Sequence, residues 1–436
     1  MEHLLEILHS AQKVAEQAEV FWVSSGETLV HFEANKLKQV QTKENTGVAL
    51  RIFRSGKVGL SAASGLANME TLLDMAMKTS QFGNPANFTF PSLRDYPEVS
   101  IFDPQLGKIP MEEMIEYGNQ LIVRVREYAS DILCDVEVAK GISSVHVINS
   151  QGGEASYAKS FFGFGLEGIL IQDTDMLFVG DGENSCCLPD KLEVAADRVI
   201  RQLELAKGKA TVSTKPLSVI FTPRGVASTF LTPIALAFNG KTVLEGASPL
   251  KDKLGEQVFD SKLSLWDDAT LAYRVESSPC DDEGMPSQRT PLIKGGVVSN
   301  FLYDLQTAAL AGTRSTGNCR RVGGGSPKPT ISSLVIDEGD ISFEAMVEDM
   351  REGLVVEQLI GADQGNLLGG DFGGNVLLGY KVENGKIVGR VKDTMISGNI
   401  YQVLKQPLGI GNEARWVDGI LRTPALYCPC LSVVAK

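Results

Sequence analysis

Between Gly361 and Tyr380 the chain reads GADQGNLLGGDFGGNVLLGY, and seven of these twenty residues are glycine. Glycine takes positive φ without steric cost, so a run this dense bends sharply and lets other backbone come close. The apolar residues Val376, Leu377 and Leu378 close the run, and the hairpin signal Glu383-Asn384-Gly385 comes next. Such a stretch is a bent feature built into a sheet, not a linker. The glycine and acidic motifs upstream are expected to converge on it.

A chain of 436 residues exceeds one compact core, so two or three domains are expected. Apolar residues make up 43% and charged residues 22%, which argues against wholesale disorder. The net charge of −13 argues against nucleic-acid binding, which needs clustered Lys and Arg. Residues 3–18 read as an amphipathic helix with Leu4, Leu8, Ala11 and Ala15 on one face, so no secretory leader is expected. No run of eighteen apolar residues occurs, and no membrane association is expected. Seven cysteines without CxxC spacing fit reduced thiols in a cytoplasm. All four histidines, His3, His9, His31 and His146, precede residue 147, which excludes histidine chemistry from the larger part of the chain.

In order, the opening helix is followed by strands at Val20–Val23 and Glu27–Glu33, read as a hairpin around Ser25-Gly26. A second hairpin joins GVALRIF (Gly47–Phe53) to Val58–Ser61 around Ser55-Gly56, and a helix follows over Met69–Lys78. Residues 85–110 carry Pro85, Pro91, Pro97, Pro104 and Pro110 and read as an extended linker wrapped on a surface. Met111–Glu127 is helical, Asp135–Val138, Val145–Asn149, Glu154–Ala158 and Gly163–Gln172 are strands, and Lys191–Ala206 is helical. Placing Val20 on Val136 also places Val48 on Phe164, which suggests a duplicated unit.

Beyond a threonine-rich boundary at 207–215 the texture changes. Leu217–Phe221 reads as a buried strand and Gly225–Leu236 as an apolar helix that Pro233 kinks or ends. Short strands follow at Val297–Leu302, Ser333–Ile336, Val355–Ile360, Val376–Val382, Lys386–Val391 and Leu431–Val434. One helix, capped by Ser342 and carrying Phe343, Met346, Val347 and Met350, interrupts them. The class is therefore α+β: units over 1–84 and 111–208, each a helix-plus-antiparallel-sheet, then a β-rich barrel or sandwich over 215–436.

Asp281-Asp282-Glu283-Gly284 is the densest acidic cluster. Three carboxylates suit a divalent cation or an acid–base pair, but turn composition and the missing EF-hand spacing favour an exposed turn. Ser315-Thr316-Gly317-Asn318 is a turn whose hydroxyls and amide suit peptide backbone. Gly323-Gly324-Gly325 before Ser326-Pro327 reads as a mobile loop without the Lys-Ser/Thr ending of a phosphate loop. Asp371-Phe372-Gly373 lacks every other kinase part, and no G-x-S-x-G elbow occurs. Cys186-Cys187 and Cys428-Pro429-Cys430 supply half a zinc site at most, which favours buried structural thiols. His31 and His146 sit in alternating strands and read as structural.

The blocks GVALRIF, LKDKLGEQVFD, CDDEGMPSQRTPLIKGGVVSNFLYD, STGNCRR, the glycine run, ENGKIVGRV and SGNIYQVL occur in one order along the chain. In order and spacing they resemble the TldD/PmbA (TldE) family, labelled modulators of DNA gyrase and associated with peptide proteolysis. The resemblance implies two α+β units before a β-rich domain. It also implies that TldD-type subunits hold zinc through H-E-x-x-x-H on a helix and a later cysteine, the glutamate polarising water. This chain departs from that pattern. The matching helix is Phe230–Asn239, with Thr232, Pro233 and Ala237 where His, Glu and His would stand, and Gly411–Gly419 holds no cysteine.

The resulting expectation is a PmbA/TldE-type subunit that binds no zinc or other cofactor and has no catalytic residue of its own. It would pair with a TldD-like zinc-bearing subunit and help process unfolded peptides. Thr316, Gly317, Asn318, Asp371, Phe372 and Gly373 are its candidate peptide-binding residues. A stand-alone homodimeric binding module is the alternative, separated by whether an HExxxH-bearing relative co-elutes. A hydrolase built on Asp281 and Glu283 with a divalent ion ranks last.

Overall fold

Two helix–three-strand–helix stretches, one on each side of the proline-rich segment, share a single sheet. The computed structural model describes residues 1–65, 68–321 and 325–435. The first stretch is α1 (Glu2–Gln12), β1 (Gln17–Glu33), β2 (Lys36–Arg54), β3 (Lys57–Ser64) and α2 (Met69–Ser80). The second is α3 (Met111–Tyr128), β4 (Leu133–Asn149), β5 (Glu154–Gln172), β6 (Asp175–Ser185) and α4 (Glu193–Leu205). The six strands lie in the order β3-β2-β1-β4-β5-β6, with Val20 opposite Ile148 across the antiparallel β1–β4 seam. Equating Val20 with Val136 lays β1 on β4 end to end, Gln17 on Leu133 and Glu33 on Asn149. The following strands are out by two, because Ala34 and Asn35 alone turn β1 into β2 while residues 150–153 turn β4 into β5.

Several expected strands merge. Ser25-Gly26 makes no turn: Ser25 faces Asn45 on one side and Ser143 on the other, so β1 runs straight through. The split strands of the second stretch likewise become β4 and β5. β6 was not expected, because its glycines and acids break the alternation. Leu4, Ile7, Leu50 and Leu72 fill the core under α1 and α2, and Leu121, Val136, Leu166 and Val199 fill that under α3 and α4. Residues 85–110 are pinned along their length. Phe90 and Ile101 are buried, Glu154 N donates to Leu93 O at 3.0 Å, and Tyr96 Oη donates to Gly284 O at 3.2 Å.

The C-terminal domain comprises β7 (Lys215–Phe221), α5 (Pro223–Ala237), α6 (Gly240–Leu244), β8 (Leu265–Asp268), β9 (Arg289–Lys294), β10 (Val297–Val298) and α7 (Leu305–Ala311). It continues with β11 (Cys319–Arg320), β12 (Lys328–Pro329), β13 (Leu334–Ile336), α8 (Phe343–Asp349), β14 (Glu352–Ile360) and β15 (Asp371–Glu383). It ends with β16 (Lys386–Arg390), β17 (Thr394–Asn399), α9 (Ile400–Lys405), β18 (Gly409–Val417) and β19 (Leu421–Ala435). Strands β7, β14, β15, β17 and β19 close a ring, Tyr427 of β19 pairing back with Ile220 of β7. Closure removes exposed edges. β13, β8, β9 and β10 extend from β19. Ser342 caps α8 through Ala345 N at 3.1 Å. The strand expected over Val297–Leu302 shrinks to β10, because the Ser299 and Asn300 side chains donate to backbone carbonyls and compete with pairing. Among the described residues no helix is long and apolar enough to cross a membrane.

The glycine run is the connection from β14 into β15. At Gly370, φ is +79° and a Cβ would lie 2.4 Å from the Tyr401 ring, so only glycine fits. Tyr401 Oη donates to Leu368 O at 3.2 Å. The acidic cluster does not converge here, and it is not an exposed turn. Asp281, Asp282 and Glu283 are buried beneath the face of the six-stranded sheet opposite its helices, where Phe21, Ala49, Val145 and Val147 pack on Cys280. Arg51 of β2 joins Glu283 at 2.5 Å and Glu19 at 2.9 Å, and Arg321 also pairs with Glu19. Glu283 accepts from Leu305 N at 2.8 Å, and Asp281 accepts from Glu283 N and Met285 N at 2.9 Å and from Cys319 N at 3.0 Å. Burial alone would lower the Arg51 pKa, but Glu19 and Glu283 more than offset it and hold it above its ordinary value. Burial, with the Glu283 charge beside it, pushes the Asp281 carboxyl well above the carboxylate range.

Glu283→Gln removes one carboxylate from Arg51 without changing shape and is expected to destabilise the chain by about 3–5 kcal/mol, read from urea midpoints. Pairing Glu283→Leu with Arg51→Met should recover much of that loss. A second prediction concerns Asp267, fully buried on β8, which accepts from Ser332 N at 2.6 Å, Ser332 Oγ at 2.7 Å and Asn318 Nδ2 at 2.6 Å. Burial outweighs these donors and pushes its carboxyl up to about 6. An unfolded aspartate titrates near ~3.9, so between these values only the folded state holds the proton. Stability therefore falls by about 3 kcal/mol as pH rises through that window and is level above it. Asp267→Asn should lack this slope in unfolding series from pH 4 to pH 7.

Candidate functional site

Helix α5 starts where Thr222 caps Gly225 N, with Pro223 in the first turn. Its inner face, Val226, Phe230, Ile234 and Ala237, joins the barrel core, and Phe230 meets Phe221 edge to face and Phe372 at a tilt, at 5.3 and 6.1 Å between centroids. Pro233 does not end the helix, which continues to Ala237. The next face, Arg224, Ala227, Ser228 and Leu231, borders a groove of about 530 Å³ opposite β4, β5 and β6. Leu29, Ala139 and Phe161 give the groove an apolar floor.

The groove is acidic. Glu27, Glu137, Glu167, Asp181, Glu183 and Asp418 line it against Arg224 and Arg415. Arg224 pairs with Glu167 at 2.9 Å and Arg415 with Asp181 at 3.1 Å. Burial pushes the Glu167 carboxyl up against the pull of Arg224. Glu357, which accepts from Thr222 Oγ1 at 2.8 Å, is raised by burial in the same way. The field here favours cationic groups, and the floor favours apolar side chains.

The six sequence-derived peptide-binding residues fall in two places that share no hydrogen-bond partner. Thr316 exchanges hydrogen bonds with the Tyr303 backbone, and Asn318 is buried against Asp267. Gly317 has φ +71°, and a Cβ there would lie 2.4 Å from Pro286 O. Asp371, Phe372 and Gly373 open β15, paired with Asn399, Gly398 and Ser397 of β17. Phe372 is core, Gly373 is half-buried, and Asp371 is exposed and accepts from Asn399 Nδ2 at 2.8 Å. Gly323 and Gly324 of the expected loop lie outside the described residues.

No zinc donor stands on α5. Thr232 is exposed, Pro233 and Ala237 are buried, and none carries a suitable ligand atom. Cys428 is buried within β19, whereas Cys430 is exposed, contrary to the buried thiol expected there. Among the described residues no group of three or more His, Cys, Asp or Glu side chains is placed to hold a metal ion. The zinc implied by the resemblance therefore does not fit these residues. His146 lies against Trp22 at 5.2 Å on the six-stranded sheet, and burial lowers its pKa. Sequence reasoning missed Arg224, Glu167, Asp181 and Glu357, which come from separate strands and a helix start and carry no short-range signal.

The family model described as PmbA/TldA metallopeptidase C-terminal domain matches residues 214–434, and that described as PmbA/TldA metallopeptidase domain 1 matches residues 18–80. An uncharacterised Methanocaldococcus jannaschii protein is 28% identical over 422 residues, covering 94% of this chain and 95% of its own. A metalloprotease of the same organism is 26% identical over 432 residues, covering 92% and 90%. Metalloprotease PmbA of Escherichia coli O157:H7 is 31% identical over 203 residues, covering 46% and 42%. Among solved structures, TldE from Thermococcus kodakarensis superposes with a TM-score of 0.88 at 21% identity, covering 99% of both chains. A Thermotoga maritima protein described as a modulator of a DNA gyrase gives 0.89 at 22% identity, covering 99% and 100%. At these identities the two structures establish the shared fold. With the first of the family models spanning over half of its length, the chain belongs to the PmbA/TldD metallopeptidase family.

Proposed function

We propose that this chain is the non-catalytic, PmbA/TldE-type subunit of a cytoplasmic metallopeptidase that processes unfolded peptides. One observation carries the reading: α5, the helix that the resemblance matches to the H-E-x-x-x-H segment of TldD-type subunits, offers Thr232, Pro233 and Ala237. The absence of any histidine beyond His146 supports it, since no other imidazole of the C-terminal domain could replace the motif. A TldD-like subunit supplies the zinc and the water-polarising glutamate. This chain contributes binding surface. Its α5 groove, apolar below and acidic at the rim, accepts extended peptide, and Asp371 and Gly373 offer further polar contact at the opening of β15.

The test is reconstitution. The purified chain alone is expected to hold substoichiometric zinc by elemental analysis and to leave an unstructured peptide uncut. Adding a TldD-like relative should give a co-eluting complex that cleaves it. Hydrolysis by the isolated chain with stoichiometric zinc would overturn the proposal, and a homodimer that never engages such a relative would favour the stand-alone binding module. Within the complex, Leu231→Glu on the groove wall should slow peptide turnover about tenfold, as expected when an apolar contact becomes a charge repelled by its neighbours.

A further inference from the structure

The sheet face that carries the α5 groove continues past it. Along β5, Phe161, Gly163, Gly165 and Glu167 line that groove, and the next outward residues, Lys159 and Tyr157, line a second hollow of about 740 Å³. Its floor is Val23, Val145 and the small residues of β3, and its roof is Glu276, Asp282, Arg320 and Arg321 of the C-terminal domain. A further space of about 510 Å³, reaching Lys328, shares Arg320 and Glu276 with it.

Three cationic heads meet in this cleft with donors to spare. Lys159 Nζ donates to Val275 O at 2.8 Å and forms no ion pair among the described residues. An ammonium has three donors, so two remain. Arg320 Nη2 donates to Glu276 O at 2.8 Å, while its carboxylate neighbours stay at 3.6 Å for Glu276 and 3.8 Å for Asp282, beyond good hydrogen bonds. Arg321 is fixed by Glu19 and by Asp282 O at 3.2 Å, yet its Nη1 is buried without a partner among the described residues. A buried unsatisfied donor is costly and points to a missing acceptor. Burial, with the Arg320 charge next to it, draws Lys159 down to about 8, as expected for an ammonium lacking an anion.

We infer that the Lys159–Arg320–Arg321 cleft is a binding site for a single carboxylate, which anchors one end of a bound peptide. A carboxylate only accepts, and it matches the free donors of the Lys159 ammonium and the Arg320 guanidinium, with the buried Arg321 charge behind them. Asp282 and Glu276 in the same wall repel a phosphoryl dianion about twice as strongly as a carboxylate monoanion, which favours the single charge. The source of the carboxylate, a peptide C-terminus or an Asp or Glu side chain, rests on the reading of the chain as a peptide-handling subunit; the site itself does not. Extended chain rises about 3.3 Å per residue, so a segment of about eight residues spans from Lys159 to the level of Glu167. The carboxylate end then lies among cations and the other end among the acids of the α5 groove, which orients the peptide.

Two measurements on the full chain test this. Calorimetry compares an unstructured peptide with a free C-terminus, its C-terminal amide, and the amide carrying one internal glutamate. The free acid should bind about tenfold tighter than the amide, the contribution expected of one charge-assisted contact. Lys159→Met should abolish the difference and Lys159→Arg retain most of it, with circular dichroism confirming folding. Recovery of binding by the glutamate peptide would assign the site to side-chain carboxylates. Separately, acetylation of Lys159 followed by mass spectrometry should be slowed by added acetate and not by chloride at equal ionic strength. Protection by acetate without any peptide binding would uphold the carboxylate site and overturn the peptide-handling reading. Equal binding of acid and amide together with no protection would overturn the site.

Discussion

Among the guanidinium groups that tie the two halves of this molecule, Arg51 is held by carboxylates from both. Arg51 comes from β2 of the six-stranded sheet, Glu19 from β1, and Glu283 from a loop of the C-terminal domain, and all three are buried. Phe88 and Phe90 of the proline-rich segment close over the same guanidinium at 5.1 and 4.9 Å, which recruits a third part of the chain to the contact. Such a cluster adds little net stability over apolar packing, because desolvating each ion costs several kcal/mol. Its effect is on position. Were the C-terminal domain to slide on the sheet, Glu283 would be left charged, buried and unpaired, so one docking geometry is strongly preferred.

That geometry creates the two hollows. Both lie on the face of β1, β4 and β5 opposite the helices, and both exist because the C-terminal domain touches this face only in part. Cys280 and the Arg51 cluster hold one region, while α5 stands off another. The opposite face of the sheet is covered by four helices. The charges of the two hollows follow from the same arrangement: carboxylates projected by β4, β5 and β6 dominate one, and the arginines of β11 and its following residue dominate the other.

What could be read in the sequence is what short-range chemistry controls. The turns at Ser55-Gly56 and Asn384-Gly385 carry positive φ and join paired strands, and α8 begins at the cap Ser342. β1 was misread because Ser25-Gly26 has turn composition, whereas its fate is decided by β2 and β4 pairing on both sides. Asp281-Asp282-Glu283 was misread for a related reason. An exposed acidic turn and a buried ionic joint have the same local composition, and the partner that distinguishes them, Arg51, lies 232 residues away in the chain. In the candidate site the helix was legible, but the groove was not, since its acids come from separate strands. Asn318 and Phe372 look like contact residues in one dimension and prove to be a buried amide on Asp267 and a core aromatic.

Helix α5 is held in place by its packing and not by any ligand. Its inner stripe holds together the barrel core through Phe230 and its neighbours, so the helix is retained whatever the remaining faces do. The positions that the family resemblance assigns to zinc binding have been absorbed differently. Thr232 faces solvent, and its replacement would disturb little. Ala237 is fully buried among core side chains, and an imidazole there would overpack them at a cost of about 1–3 kcal/mol. Pro233 cannot donate the amide hydrogen bond of a helix interior, and a glutamate in its place would put a carboxylate into a buried position. The core has thus closed over two of the three positions. Placing metal ligands at these positions would require coordinated repacking around Pro233 and Ala237, so the choice of residue there is set by the fold's interior and not by its surface.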